Sequence, residues 1–377
     1  MKFLHKILSF SSRSVNVFFF TLLLFAGLAA YISPSRFWPL GLMGLAYPYL
    51  ALANIFFVLS WMLRKRAFAL LSLSALILTF PQLKAQLAFS FSRHVQTTAG
   101  SPIKVMSYNV RNFDLYNWSH NKASRKSMMD SIATHNPDVL LLQEYYTDNG
   151  KFNNDEYLKR LGYTYHQTAV ELIKKRTNVW GVSIFSKYPI QNGGNAIQQQ
   201  VPTPYRKFPK RCAYADIKIH GQTIRFISIH MQSVHLSFND YETIDNLKAS
   251  NKLNPRRVLI IIKKLKRAFI ERGRQTETLR QFLQQSPYPV ILGGDFNDTP
   301  ASFTYQQIAN LLDDTFIQKG RGIGTTYNGN IPFLRIDYIL KDHSFQTQDF
   351  KIINNLNSDH FAVVSDILIP THPVKDI

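Results

Sequence analysis

The feature that most constrains the fold of this chain is an apolar N-terminal region that carries no acidic side chain. No aspartate or glutamate occurs before Asp114, so all 24 acidic residues of the 377-residue chain lie from that position onward. Residues 17–32, 40–63 and 67–83 form three apolar stretches within this region. A membrane-spanning helix needs about 20 mostly apolar residues, with a range of about 17 to 25. We therefore predict that residues 1–87 form a transmembrane region of about three helices.

Two other interpretations fit the same residues. The basic residues Lys2, Lys6 and Arg13 before the first stretch are also typical of a cleaved signal peptide, and a buried helical hairpin of a soluble protein has a similar composition. Basic residues recur at 64–66, whereas the loop between the first two stretches carries only Arg36. If all three stretches span, the positive-inside rule predicts a multi-pass protein of the cell (inner) membrane whose C-terminal domain is extracytoplasmic.

The remainder of the chain is basic in its own right. Residues 1–87 contain eight of the 44 lysines and arginines, which leaves 36 basic against 24 acidic residues. This excess favours anionic partners such as phosphates, nucleic acid or anionic lipid, without choosing among them. The single cysteine, Cys212, excludes an internal disulfide framework.

Beyond the apolar region the pattern changes to that of an α/β domain. Residues 88–100 are small and polar, which predicts a short linker, and residues 101–377 alternate strand-like with helix-like segments. Some predicted strands follow one another as hairpins and others are separated by helices, so a purely parallel sheet is not expected.

Polar side chains recur where these predicted strands end. Residues 290–292 predict a buried strand, and Gly293 and Gly294 allow the backbone to leave it at Asp295 and Asn297. The other polar residues at strand ends are Asn109, Glu144, His230, Asp337, Asp359 and His360. Each alone fits a turn, a cap or a buried hydrogen-bonded histidine. Together they supply oxygen ligands for a hard cation such as Mg²⁺ and histidines for proton transfer.

Seven segments extend this pattern over about residues 103–369. In chain order they are SYNVRNF, LLLQE, SIFSKYPI, ISIHMQS, GGDFND, RIDYIL and SDH. In these segments the chain resembles the endonuclease/exonuclease/phosphatase superfamily, which includes pancreatic deoxyribonuclease, abasic-site endonucleases and neutral sphingomyelinases. The resemblance implies an α/β four-layer sandwich of two mixed β-sheets flanked by helices, here preceded by the transmembrane region. It also implies a Mg²⁺-dependent hydrolase of phosphoester bonds, with Mn²⁺ as an alternative cofactor.

The resemblance also assigns residues to the metal side of an active site. It implies that Glu144 is the principal Mg²⁺ ligand, that Asn109 lies beside it, and that Asp359 is a second carboxylate on the metal side. Arg111 departs from the family pattern, because some members carry an acid at that position, and this favours one metal over two. Arg111 and Arg211 are candidate phosphate contacts, although a solvated strand-edge arginine explains Arg211 equally well.

The remaining roles concern proton transfer. By resemblance, His360 is the general base or a phosphate-binding histidine, and Asp337 orients its imidazole. Asp295 is expected to align or deprotonate water, and Asn297 to contact the phosphoryl oxygens. His230 matches a second histidine of nuclease-like and sphingomyelinase-like members, as a candidate acid or oxyanion donor.

A basic segment separates two of the motifs. Residues 252–280 carry ten basic and two acidic side chains, and their apolar residues are spaced as in a helix. A solvated helix and a surface for anionic lipid or a polyanion both fit this composition.

Three functions fit the sequence as a whole. A membrane-tethered phosphodiesterase or phosphatase is the first. The second is a membrane-anchored nuclease, and the third is a non-catalytic membrane protein that retains the fold. The expected partners are the lipid bilayer and a phosphoester substrate, either a phospholipid headgroup or nucleic acid, with no obligate protein partner.

Overall fold

The computed structural model describes residues 2–64, 67–90, 100–197, 212–234, 255–329, 333–354 and 358–370, with side chains from residue 12 onward. They form two compact units. The helical unit comprises Met1–Leu87, Gln232–Arg274 and Asp298–Gln307, and the sheet unit comprises Ala88–Met231, Gln275–Asn297 and Ile308–Ile377.

The helices are α1 (Lys2–Leu28), α2 (Pro39–Leu63), α3 (Ala69–Leu78), α4 (Phe80–Gln86), α5 (Ser124–His135), α6 (Asn154–Arg160), α7 (Pro255–Gln284), α8 (Phe303–Ala309) and α9 (Thr315–Lys319). The strands are β1 (Ala88–Phe89), β2 (Gly100–Asn109), β3 (Val139–Thr147), β4 (Tyr165–Lys174), β5 (Asn178–Ser186), β6 (Ile190–Asn195), β7 (Cys212–Ile219), β8 (Gln222–His230), β9 (Val290–Asp295), β10 (Asp313–Asp314), β11 (Arg321–Gly322), β12 (Asp337–Lys341), β13 (Gln346–Ile353) and β14 (Ala362–Pro370).

In the helical unit, α1, α2 and α3 pack through apolar side chains and a few buried polar ones. Asn54 Nδ2 on α2 donates a hydrogen bond to the carbonyl of Phe19 on α1 at 3.1 Å. Ser72 Oγ on α3 donates to Asn16 Oδ1 on α1 at 2.6 Å. Because these groups are buried, they need a partner on a neighbouring helix, and the bonds therefore fix how the helices pack.

Among the described helices, one is long and apolar enough to cross a membrane. It is Pro39–Leu63, with a mean hydropathy of 1.8 in its most apolar window, of which 33% is buried within the protein. Two shorter helical segments are also apolar. They are Ser12–Leu28, which is the part of α1 with described side chains, and Ala69–Leu78, which is α3. The third predicted span is interrupted at Thr79, where α3 ends. Helix α4 begins at Phe80 with Pro81 in its first turn, and proline lacks the backbone N–H that would continue α3. A single helix of this kind is weak evidence for a membrane anchor. The described helices do not support the predicted multi-pass topology or the extracytoplasmic orientation.

Most of the predicted basic segment forms helix α7. In the helical unit, Phe269 of this helix packs so closely on Gly41 that a Cβ there would lie 2.7 Å from the ring. The Lys266 ammonium lies 5.5 Å from the centre of the Trp38 ring. Arg272 is buried and its guanidinium Nε lies 3.1 Å from Asp298 Oδ2. The apolar stripe of the segment is therefore a packing surface, and residues 252–254 lie outside the described part of the chain.

The sheet unit contains two six-stranded sheets and one two-stranded pair. One large sheet has the strand order β10-β12-β9-β8-β7-β6, and the other has the order β13-β14-β2-β3-β5-β4. Each has one parallel pair, β8 with β9 and β2 with β3, among otherwise antiparallel neighbours. The short strand β1 pairs with β11, so residues 88–89 of the predicted linker form part of this unit.

The two large sheets pack face to face, since one buried cluster contains residues of both. Val105 and Leu141 contribute from one sheet, and Phe226 and Ile291 contribute from the other. The side chains that alternate with these point to the opposite face, where Met106 and Leu140 pack with Met128 of α5. Two mixed sheets flanked by helices are the α/β architecture that the sequence predicts, and this prediction is confirmed.

Two glycines at the end of β9 permit this close packing. A Cβ on Gly293 would lie 2.7 Å from Leu141 Cδ1 of the facing sheet. Gly294 has a φ of 150°, and a Cβ there would lie 2.0 Å from the carbonyl oxygen of Ile229 on β8. These positions therefore have no room for a side chain, and the strand can deliver Asp295 to the edge of the sheet.

Candidate active site

The site forms at the ends of strands from both sheets. The two parallel pairs bring Asn109 beside Gln143 and His230 beside Asp295, and the antiparallel strand β12 places Asp337 opposite Asp295. Since the carboxyl ends of parallel strands meet at one edge of a sheet, residues far apart in the chain become neighbours there.

Asp295 is the centre of the hydrogen-bond network. It is 1% exposed, and its Oδ2 accepts hydrogen bonds from Asn109 Nδ2 at 3.0 Å and from Asn297 Nδ2 at 3.1 Å. The backbone N–H of Asn297 donates to Oδ1 at 2.8 Å. Burial raises the pKa of Asp295 to about 7, with the nearby Asp337 acting in the same direction and His360 opposing it. This carboxyl group can therefore exchange a proton near neutral pH.

A histidine and a second buried carboxylate lie beside Asp295. His360 Nδ1 is 3.0 Å from Asp337 Oδ2 and 3.1 Å from Oδ1, and His360 Nε2 lies 3.7 Å from Asp295 Oδ2. Burial disfavours the charged imidazole, but Asp337 and Asp295 outweigh it and raise the pKa of His360 well above its usual value. The ring is therefore held as an imidazolium whose Nε2 proton is available to an anion.

A bulge in β3 controls the direction of Glu144. The pairing of β3 with β5 shifts register between Leu142 and Tyr145, and Glu144 has a φ of 48°. Its side chain is 32% exposed, and its Oε1 lies 3.8 Å from His230 Nε2. The same histidine nitrogen lies 3.6 Å from Asp295 Oδ2, so His230 stands between the two carboxylates.

Arg111 and Asp359 lie on the more open side of the site. The backbone N–H of Arg111 donates to Asn109 Oδ1 at 3.1 Å, and its side-chain Nε lies 3.5 Å from Asp359 Oδ2. The site thus brings together nine of the ten residues that the sequence identified, and their roles stay predictions. Arg211 lies outside the described residues.

Three site residues were not identified from the sequence. Ser358 Oγ donates to the carbonyl of Asn109 at 2.9 Å and accepts from the N–H of His360 at 3.2 Å. Thr326 Oγ1 accepts from the N–H of Asp337 at 3.1 Å, and the Tyr327 ring lies 5.1 Å from the His360 ring. Ser358 belongs to the SDH motif, so the sequence could have identified it. Thr326 and Tyr327 belong to none of the seven motifs.

The side chains present fit a divalent cation. Asp295, Asp337 and His360 are buried with potential ligand atoms within 4.8 Å of one another. Both Asp337 oxygens already contact His360 Nδ1, which leaves the partly exposed carboxylates of Glu144 and Asp359 as oxygen donors on the open side. Carboxylate and amide oxygens are the donors that a hard cation such as Mg²⁺ prefers.

Comparison with known proteins agrees with this geometry. A family model described as "Endonuclease/Exonuclease/phosphatase family" matches residues 106–360. A second model, "Domain of unknown function (DUF8431)", matches residues 5–86. No curated protein matches the chain.

Several solved structures are similar to this chain at low sequence identity. An endonuclease/exonuclease/phosphatase family protein from Bacteroides thetaiotaomicron is 16% identical over 74% of this chain and 100% of its own, with a TM-score of 0.50. The human Nocturnin catalytic domain with bound sulfate is 18% identical over 72% and 97%, with a TM-score of 0.49. A mannosyl-6-phosphatase from Bacteroides thetaiotaomicron is 16% identical over 71% and 100%, with a TM-score of 0.47.

Proposed function

The chain belongs to the endonuclease/exonuclease/phosphatase family, and on that premise we propose that it is a metal-dependent phosphoester hydrolase tethered to a membrane. Members of this family are usually hydrolases of phosphoester bonds, and the family typically uses a divalent metal. The observation that carries the proposal is the buried His360–Asp337 pair beside Asp295, because it combines a held imidazolium with a carboxyl group that titrates near pH 7.

The metal would be held by oxygen donors on the open side of this pair. Glu144 and Asp359 would supply carboxylate oxygens, and Asn109 would supply its amide oxygen. When bound, Mg²⁺ or Mn²⁺ supplies positive charge that stabilises the phosphoryl oxygens.

The protein's own residues would accept the proton of the attacking water and hold the phosphoryl group. Asp295 accepts the proton of the attacking water at a carboxylate oxygen, while the amides of Asn109 and Asn297 hold that carboxylate in place. His360 keeps its proton at Nε2 and donates a hydrogen bond to a phosphoryl oxygen, and Asp337 stabilises its charge. His230, whose Nε2 lies 3.6 Å from Asp295 Oδ2, donates a second hydrogen bond to the phosphoryl group. Arg111 adds a further cation at the open side.

Membrane tethering is the second part of the proposal. Among the residues that the structure describes, nineteen of the thirty exposed large hydrophobic side chains lie between Val15 and Phe80, including Leu52 and Phe56 on α2 at 64% and 65% exposure. A soluble surface rarely exposes so many large apolar side chains in one segment, and contact with lipid tails accounts for them.

A substrate panel tests this proposal. Full-length protein in detergent is incubated with single-stranded and duplex DNA, sphingomyelin, phosphatidylinositol and an aliphatic phosphodiester, each with Mg²⁺ or with EDTA. We expect at least one phosphoester to be hydrolysed with Mg²⁺ and none with EDTA. Full activity in EDTA, or no hydrolysis of any member of the panel, contradicts the proposal.

A further inference from the structure

The loop that follows Asn109 is tightly anchored. Residues Arg111 to Asp114 all have a positive φ, between 44° and 56°, which is a conformation that side chains other than glycine rarely adopt in sequence. Phe113 is fully buried, with its ring 5.8 Å from that of Tyr145. Asp114 is buried as well, and it accepts hydrogen bonds from the N–H and the hydroxyl of Ser119. A loop held in this way presents its remaining side chains in fixed positions.

Those remaining side chains include two exposed aromatic rings. Tyr116 is 55% exposed and Trp118 is 44% exposed, and their ring centroids are 4.8 Å apart. Because Phe113 and Asp114 of the same loop are buried, the exposure of the two rings does not come from a loosely attached loop. Rigid exposed rings are suited to contacts with a planar ligand.

The ring pair adjoins the catalytic residues through Arg111. The guanidinium of Arg111 lies 5.0 Å from the centroid of the Trp118 ring, and its Nε lies 3.5 Å from Asp359. Asp359 is the neighbour of His360 in the chain. A ligand group on the rings is therefore separated from the reacting centre by a single side chain.

A second ring pair continues the surface beyond Glu144. Trp180 is partly exposed, its ring centroid lies 4.7 Å from that of the buried Tyr146, and the Lys174 ammonium lies 5.7 Å from the Trp180 ring. The loop packs on β3 beside this pair, because the ring of Phe113 lies 5.8 Å from that of Tyr145, the neighbour of Tyr146 in the chain. The second pair thus lies on the strand against which the loop packs, and Trp118 and Trp180 each have one cation over the ring.

We infer that Trp118, Tyr116 and Trp180 form a ring strip on which bases of a single-stranded nucleic acid stack. The inference rests on the proposed function and names the substrate class of the same site. Rings interleaved with cations are the arrangement that binds single strands, since the bases stack and the phosphates meet positive charge. Arg111 and Lys174 would repel a cationic group such as choline, so the strip does not fit a cationic headgroup.

Binding without cleavage gives the direct test. Full-length protein in detergent and EDTA is titrated into a fluorescently labelled single-stranded oligonucleotide, and anisotropy gives the dissociation constant. We expect Trp118→Ala to weaken binding by about 5- to 100-fold, which is the loss of one stacked base. Trp118→Phe keeps a ring and should recover most of the affinity. Tyr116→Ala should also weaken binding, whereas Tyr165→Ala, which removes an exposed tyrosine from the other end of β4, should not.

An abasic strand of equal length separates stacking from charge. It carries the same phosphates without bases, so Trp118→Ala should leave its affinity unchanged. If Trp118→Ala weakens both strands equally, or weakens neither, the ring strip does not bind bases. If Trp118→Ala instead weakens binding to anionic vesicles and leaves the oligonucleotide unaffected, the rings contact lipid and the inference is wrong.

Failure of the inference can be told apart from failure of the proposed function. If an aliphatic phosphodiester is hydrolysed with Mg²⁺ but the oligonucleotide binds independently of Trp118, then the proposed function holds and the inference fails. If the oligonucleotide binds through Trp118 but no phosphoester is hydrolysed, then the proposed function fails and the ring strip stands.

Discussion

At the scale of single residues, the site depends on how burial and neighbouring charges act on the same groups. Asp295 and His360 are both buried, and burial alone would favour the uncharged form of each. Asp295 follows this rule, and its pKa rises to about 7. The pKa of His360 moves in the direction opposite to that of burial because Asp337 lies 3.0 Å from its Nδ1. One residue can therefore take a proton at the pH at which the other keeps one.

The first prediction concerns turnover. His360→Ala removes the imidazolium, and we expect the rate of Mg²⁺-dependent phosphoester hydrolysis to fall by about 10²- to 10³-fold, the usual cost of removing one hydrogen-bond donor to a charge that develops in the transition state. His343→Ala, which removes an exposed histidine bound to Asp313, is the matched control and should keep the wild-type rate. A wild-type rate for His360→Ala would exclude His360 from the reaction.

The second prediction concerns stability and pH. The pKa of His360 is higher in the folded state than the ordinary 6.5, so the charged pair stabilises the fold fully below about pH 6.5. This stabilisation is lost as the pH rises through the folded pKa. Asp337→Asn removes the carboxylate and should lower the free energy of unfolding by roughly 1.5–3 kcal/mol at pH 6, the value of a hydrogen bond to a charged group. The difference should shrink toward pH 10.

Thermal unfolding of wild type and Asp337→Asn in EDTA, measured at intervals from pH 6 to 10, checks this sign. A difference that grows with pH would mean that His360 is neutral in the folded protein.

At the scale of elements, the ends of the strands decide which side chains reach the site. Near the end of β9, Gly293 allows the facing sheet to approach and Gly294 allows β8 to approach. β3 reaches the site through a bulge, and the positive φ of Glu144 turns its carboxylate toward His230. Such bulges are typical of positions where a strand must redirect one side chain.

The third prediction tests the β9 end. In Gly294→Ala the new Cβ would lie 2.0 Å from the carbonyl oxygen of Ile229, so β8 and β9 would have to separate. Gly221→Ala is the matched control, because Gly221 has a φ of 86° but no atom within 4 Å of the Cβ position. We expect the control to cost about 1–2 kcal/mol of unfolding free energy from backbone strain alone.

Gly294→Ala should lower the free energy of unfolding by more than Gly221→Ala does, and it should lower the melting temperature further. Equal melting temperatures for the two variants would mean that the close approach of β8 and β9 contributes nothing.

At the scale of the whole molecule, the two compact units differ in how many large apolar side chains they expose. The sheet unit buries its apolar side chains between two sheets and beneath α5. The helical unit also has a buried cluster, formed by residues such as Leu23, Tyr47 and Ala75, yet its helices expose many large apolar side chains. The exposed set is what distinguishes a lipid-facing helix from the core helix of a soluble protein.

The fourth prediction tests that distinction. Leu52 lies near the middle of α2 and is 64% exposed, so lysine there would be tolerated on a soluble helix. In a bilayer it would cost about 2.5–3.5 kcal/mol, because the charge would lie at the centre of the span. We expect Leu52→Lys to reduce the fraction of protein that stays with membranes after alkaline carbonate extraction. Leu259→Lys on α7, at 56% exposure, should behave as wild type.

If wild-type protein is released by carbonate, or if Leu52→Lys is retained as wild type is, α2 does not cross the membrane.

Much of this protein could be predicted from the sequence because its informative patterns are local. Strand-forming runs that end in Asn109, His230 or Asp295 predict both the strands and the polar residues at their ends. The order of the motifs predicted the family and two mixed sheets, and both predictions are confirmed. The second apolar stretch forms a helix at the predicted position. The first lies mostly within α1, which begins earlier than predicted, at Lys2, and ends at Leu28. Pro81 divides the third, because a proline lacks the N–H that would continue α3.

What only the tertiary structure decided are properties that depend on distances between remote residues. Asn109 and Asp295 are 186 positions apart, yet their hydrogen bond forms because strands of two sheets end at one place. The raised pKa values of Asp295 and His360 need burial and neighbours that no local pattern contains. The β3 bulge at Glu144 and the ring strip beside Arg111 likewise result from packing. The sequence by itself thus indicated most of the polar residues that meet at the site, and the folded chain determined their protonation, direction and neighbours, because electrostatic and steric interactions act through space.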